Sequence, residues 1–158
     1  MMRKIFLLVI LLCWGIVGFT QDGVNFEHLS FKEALDKART ENKLVFVDCY
    51  TSWCGPCRKE IPYLIKLEEE MRGKDVVFIG VSVDEKKDHQ AWLDVLDKEG
   101  LEGIQLFASG WSQIVKDYKI KGIPRFMVFD RQGKVVTIDS PRPSDPRLKA
   151  LLGVELEK

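Results

Sequence analysis

The chain has 158 residues, 46% of them hydrophobic and 30% charged, which is enough for one domain with a sizeable core and too few for two. Its 24 Lys and Arg balance its 24 Asp and Glu, so nothing in the charge points to nucleic acid or to an acidic surface as partner. The composition is that of an ordinary soluble globular protein, with no internal repeat, low-complexity tract or like-charge tail.

Residues 1–20 stand apart. "MMRK" is a basic start, "IFLLVILLCWGIV" is an uninterrupted apolar run, and Gly18 and Thr20 are small residues placed for cleavage after Thr20. That is the layout of a secretory signal peptide, so residues 21–158 are expected to form the mature domain. The other reading is an uncleaved membrane anchor over residues 5–19, but 15 residues fall short of the roughly 20 that span a bilayer. A lipoprotein signal at Cys13 fits worse, because Leu12 stands where a small residue is expected. Cleavage would leave 22 basic and 24 acidic side chains, a net charge of −2. It would also leave Cys49, Cys54 and Cys57, an odd number that implies one spare thiol. A dithiol beyond the membrane must be held in its redox state on purpose.

Next in the chain, "LSFKEALDKARTENK" opens with Ser30 and carries Glu33 three positions on, a capping box, with Phe31, Ala34, Leu35 and Ala38 at helical spacing. "KLVFVDCY" is a valine-rich apolar run that suits a strand buried on both faces. The helix after it carries Ile61, Leu64, Leu67 and Met71 on one side, and Pro62 inside it should produce a kink. Val76 to Val83 reads as a second buried strand. "KKDHQAWLDVLDKEG" is helical, with Ala91, Trp92, Val95 and Leu96 inward and Gly100 as its stop. A short strand at Ile104 to Phe107 and a short helix at "WSQIVKDY" follow. "RFMVFD" and "KVVTID" are strands around the turn Arg131-Gln132-Gly133, and "PSDPRLKALLG" is a last helix with Ser144 as its expected N-cap. Helix and strand alternate and then a hairpin follows, which implies an α/β fold: a mixed sheet with helices on both faces.

"YTSWCGPCR" carries the chemistry. Cys54 falls at the junction of strand and helix, where unpaired N–H groups and the helix dipole favour an anion and lower a thiol's pKa. Cys57 lies one turn on and faces the same way, and Pro56 suits the first turn. A disulfide closing so small a ring constrains the unfolded chain little and makes a poor staple. A structural zinc site would want four ligands, and His28 and His89 are far apart, so no metal is expected. Haem attachment needs His directly after the second cysteine, where Arg58 stands. Both histidines read as surface residues, Trp92 and Trp111 as core aromatics, and Cys49 as a core thiol.

"VDCYTSWCGPC", with Pro62 and the "GIP" of residues 122–124, resembles thioredoxin. "WCGPCRKEIP", "FIGVSVDE" and "GIPRFMVFDRQGKVV" are similar to exported thioredoxin-like proteins of the TlpA/ResA kind, and "VSVDE" also to peroxiredoxins. The likeness covers roughly residues 24–152 in element order, and residues 86–107 match the helix and strand that exported members insert after the third strand of the fold. The resemblance implies a thiol-disulfide oxidoreductase in which Cys54 attacks and Cys57 resolves. It makes Asp48 a buried acid that takes the Cys57 proton. Trp53, Gly55, Pro56, Ile123 and a cis Pro124 would meet the substrate, the Ile123 backbone pairing with an extended segment. Thioredoxin's lysine partner to the acid is absent, since its place falls to Ile79, and Arg125 replaces a threonine and reads as a surface charge.

The Gly-Pro insert resembles reducing members, so the expected function is reduction of protein disulfides outside the cytoplasm, in the periplasm. The implied partners are protein disulfides and a thiol donor protein that recharges the pair, soluble or membrane-bound, with the chain a monomer. No NADPH or flavin site is present, and no cofactor is expected. One rival reading is a thiol peroxidase, because Thr51 stands three residues before Cys54 as in peroxiredoxins, although Val47 replaces their upstream proline. The other is a non-enzymatic binding module on the same fold.

Overall fold

The computed structural model describes residues 30–110 and 112–158. The expected signal peptide, His28 and Trp111 lie outside the described residues.

The capping box at Ser30 forms as the sequence predicts. Ser30 Oγ accepts the Glu33 amide at 3.3 Å, Glu33 accepts the Ser30 amide at 2.7 Å, and helix α1 runs Phe31–Thr40. Strand β1, Leu44–Tyr50, is buried along its whole length. Helix α2, Gly55–Met71, follows and buries Ile61, Leu64, Leu67 and Met71 at helical spacing, with Pro62 inside it and exposed. Strand β2 is Val76–Ser82. The next segment starts as one 3-10 turn, Lys86–Asp88, before helix α3, His89–Glu99, which ends at Gly100 with φ +66°. Trp92 and Leu96 are buried there, whereas Ala91, expected inward, is exposed. The rest is strand β3, Ile104–Phe107, helix α4, Gln113–Asp117, strands β4, Arg125–Phe129, and β5, Val135–Thr137, and helix α5, Pro146–Leu156.

The N-cap of α5 is Asp145, not Ser144. Pro146 has the fixed φ that suits the first helical position, which makes Asp145 the capping residue, and its carboxylate accepts the Arg147 amide at 2.9 Å. Ser144 is engaged elsewhere: its amide and its hydroxyl both donate to Glu60 of α2.

The sheet order is β3-β2-β1-β4-β5, with β1, β2 and β3 parallel to one another, β4 antiparallel to β1, and β5 antiparallel to β4. This is the thioredoxin fold, and the inserted α3 and β3 follow β2, the second strand among the described residues. Alternation along β1 divides the core in two. Leu44, Phe46 and Tyr50 pack with α2, α3 and α5 on one face, and Val45, Val47 and Cys49 pack with α1 and α4 on the other. Asp48 falls in the first series. It therefore points from the centre of the sheet toward α2, the helix that carries the cysteines.

Candidate redox site

Strand β1 ends at Tyr50, and the chain turns through Thr51–Cys54, closed by a bond from the Cys54 amide to the Thr51 carbonyl at 3.1 Å. A second hold on this turn comes from Asp84, whose buried carboxylate accepts the Ser52 amide at 2.8 Å, the Ser52 hydroxyl at 3.0 Å and the Ser82 hydroxyl at 2.8 Å. Cys54 is thereby placed as the N-cap of α2. Its sulfur accepts the Cys57 amide at 3.2 Å, the bond that would stabilise a thiolate once the pair is reduced. Cys54 and Cys57 are joined as a disulfide, with their Cα atoms 5.2 Å apart, and both are buried. Gly55 and Pro56 form the exposed first turn of α2.

Asp48 is buried, and burial, followed by the charges of Glu60 and Glu68, raises its pKa to about 8. No lysine stands near it in the register. The β2 residue opposite is Gly80, and Ile79 belongs to the core on the other face of the sheet. Gly80 leaves room for the side-chain amide of Gln105, which a Cβ at this position would have to displace. That amide accepts from Tyr50 Oη at 3.0 Å and donates to the Glu102 carbonyl at 2.8 Å, and Trp92 Nε1 donates to Tyr50 Oη at 2.9 Å. A neutral buried network thus fills the space beside Asp48. A cavity of about 10 Å³ remains, bordered by Asp48, Thr51, Cys57, Ile61 and Gln105 among others. It brings the predicted acid and the second cysteine together.

On the outer side, Trp53 is 72% exposed and shares a groove of about 370 Å³ with Thr51, Val83, Lys121 and Ile123. The Ile123–Pro124 peptide is cis. Arg125 pairs with Asp139 on the surface, and Cys49 is a buried free thiol on the face of β1 opposite Asp48, its pKa raised by burial. His89 is exposed, its ring against Trp92 and Phe107.

Sequence reasoning missed Glu60, Gln105 and Asp84. Glu60 stands three residues after Cys57 and so on the same helix face, a legible signal. The other two act through partners 32 and 55 residues away in the chain, Ser52 for Asp84 and Tyr50 for Gln105, and no local pattern marks them.

Residues 18–138 match the model of the AhpC/TSA family. The chain belongs to the AhpC/TSA family. Within it, the protein is a thioredoxin-superfamily redox protein related to ResA-type thiol-disulfide oxidoreductases. Thiol-disulfide oxidoreductase ResA of Bacillus thuringiensis is 27% identical over 151 residues, covering 85% of this chain and 86% of that one. Thioredoxin 1 of Chlorobaculum tepidum is 35% identical over 75 residues, 48% of this chain and 70% of that one. The solution structure of a proposed thiol-disulfide oxidoreductase from Bacteroides vulgatus superposes with a TM-score of 0.64 at 40% identity, covering 76% of this chain and 79% of that one. The Cys54–Cys57 pair of this AhpC/TSA member is consistent with the same class of activity. Among its described residues no helix is long and apolar enough to cross a membrane.

Proposed function

We propose that this AhpC/TSA-family protein reduces protein disulfides outside the cytoplasm, with Cys54 as nucleophile, Cys57 as resolving thiol and Asp48 as proton acceptor. The observation that carries the reading is the Cys54–Cys57 disulfide at the N-terminus of α2, with a buried acid on the same cavity as Cys57. The Cys54 thiolate attacks one sulfur of the substrate disulfide, and the other sulfur leaves as a thiolate. Cys57 then gives its proton to the Asp48 carboxylate and attacks the Cys54 sulfur, which releases the second substrate thiolate and closes the Cys54–Cys57 disulfide. Recharging runs the other way. A donor thiolate attacks Cys54, and Cys57 leaves and takes its proton from Asp48. A second thiolate of the donor then attacks the donor sulfur of this mixed disulfide, closes the donor's own disulfide and releases the Cys54 thiolate. The raised pKa of Asp48 supports both roles, because a carboxyl that titrates at about 8 exchanges protons readily with a thiol.

Trp53, Gly55, Pro56 and the Ile123–Pro124 segment form the surface for the substrate. The groove shared by Trp53 and Ile123 supports this, since an extended chain lying along it would meet Ile123 and Trp53, the residue before Cys54. Residues 1–20 direct export, the monomer is the working form, and a separate thiol donor protein restores the dithiol.

A second reading, thiol peroxidase, is favoured by the AhpC/TSA match and by Thr51 three residues before Cys54. Parallel assays of insulin-disulfide reduction and hydrogen peroxide consumption separate the two. The reductase reading expects insulin turnover that Cys54→Ser abolishes, with peroxide consumed no faster than by a small dithiol. Rapid peroxide consumption with inert insulin would replace it by the peroxidase. A Cys54→Ser variant that retains the full biological effect would point instead to a binding module.

A further inference from the structure

Among the described residues, two buried side-chain oxygens near the redox pair have no hydrogen-bond partner in the protein, Asp48 Oδ1 and Thr51 Oγ1. Both residues border the cavity that also touches Cys57. At about 10 Å³ it has room for about one water molecule, and a buried water needs two or more polar partners to be held. Asp48 and Thr51 supply them. The remaining wall is apolar, as at Ile61 and Leu64, or already satisfied, as at Gln105, whose amide bonds Tyr50 and the Glu102 carbonyl.

We propose that Thr51 is a further positioning residue of the thiol-disulfide reaction: its hydroxyl, together with Asp48, holds one water against Cys57 and so completes the path of the Cys57 proton. The proposal rests on the reading of Asp48 as proton acceptor and adds the group that makes the acceptor reachable. The chemistry of a hydroxyl suits the place. It donates and accepts at once, so it can serve the water whether Asp48 is charged or neutral. The step balances. The Cys57 thiol passes its proton to the water, the water passes one to the Asp48 carboxylate, and the Cys57 sulfur bonds to Cys54 as the substrate thiolate leaves. Thr51 itself ends unchanged. Its position is fixed independently of its side chain, because its carbonyl accepts the Cys54 amide in the turn before α2. Thr51 also borders the outer groove with Trp53 and Ile123, so it stands between the substrate surface and the buried acid.

Stopped-flow reduction of a model disulfide, with trapping of the mixed species, resolves the attack by Cys54 from resolution by Cys57. Thr51→Val keeps the shape and removes the hydroxyl, and Thr51→Ala serves in its place if the valine does not fold. The expected result is resolution slowed about tenfold, the scale of one lost hydrogen bond, with the first attack within about twofold of wild type. Thr51→Ser restores the rate. In Asp48→Asn, adding Thr51→Val slows resolution no further, because both act on one path. Slowing of resolution by Asp48→Asn but not by Thr51→Val would overturn the proposal and leave the acid's role standing. Equal slowing by Thr51→Val and Thr51→Ser, or a double variant showing the product of the two effects, would reduce Thr51 to a packing residue. Wild-type resolution in Asp48→Asn would remove the proton-acceptor reading and this proposal with it.

Discussion

Cys54 and Cys57 differ in what surrounds them. The Cys54 sulfur stands at the positive end of α2 and accepts an amide, while Cys57 lies one turn inside, on the cavity it shares with Asp48. In the reduced protein the Cys54 thiol should therefore titrate below the unperturbed value of about 8.5, with Cys57 above it. Alkylation rates across pH check this, and Cys57 reacting first would reverse the assignment. Asp48 gives a second expectation. The folded protein keeps its proton up to about pH 8, whereas the unfolded chain releases it near the ordinary 3.8. Between those limits the native state binds the extra proton. Its contribution is fully present below about pH 4 and is lost as pH rises toward 8, at roughly 1.4 kcal/mol per pH unit. Asp48→Asn should remove that slope, so its stability advantage over wild type grows from pH 4 to 8 and then levels off. Urea unfolding at several pH values measures the difference. Glu68, raised to about 7 chiefly by burial, adds a slope of its own to both proteins, which the comparison removes except for its charge coupling to Asp48. Parallel curves would mean that Asp48 titrates alike in both states.

Among the elements, β2 and β3 shape the site most. Gly80 pairs with Asp48 across the β1–β2 register and with Gln105 across β2–β3, and its missing side chain gives the Gln105 amide its place. Gly80→Ala should displace that amide and break its bonds to Tyr50 and Glu102. The expected loss is about 1–3 kcal/mol, since a buried polar group is then left unpaired. Chemical denaturation gives the number. Pairing Gly80→Ala with Gln105→Ala should recover part of the loss, and equal stability of Gly80→Ala and wild type would show that the amide moves freely. Helix α2 adds a longer link. Glu60 accepts both the amide and the hydroxyl of Ser144, with Arg142 3.8 Å away, and so ties the entrance of α5 to the helix of the cysteines.

At the scale of the whole molecule, the proposed reducing direction rests on the Gly-Pro insert and on the acid behind Cys57. Equilibration with glutathione should give a potential well below the roughly −120 mV of a strong oxidant such as DsbA. A value near that figure would turn the function to disulfide formation.

The sequence by itself determined most of the elements and the redox pair. Capping box, helical spacing and valine runs act between residues a few positions apart, and "WCGPC" at a strand–helix junction is equally local, so both are readable without a fold. It misjudged Ser144 and Ala91, where distant partners and the exact phase of a helix decide. Only the tertiary structure decided what surrounds Asp48. Register set Gly80 rather than Ile79 opposite it, β3 sent Gln105 into the space beside it, and the turn into α2 brought Thr51 and Cys57 onto one cavity with it. The physical reason is that a buried carboxyl's pKa and partners depend on which side chains exclude water from it. Those side chains arrive from four different elements and the loops between them, and chain order does not encode their distances.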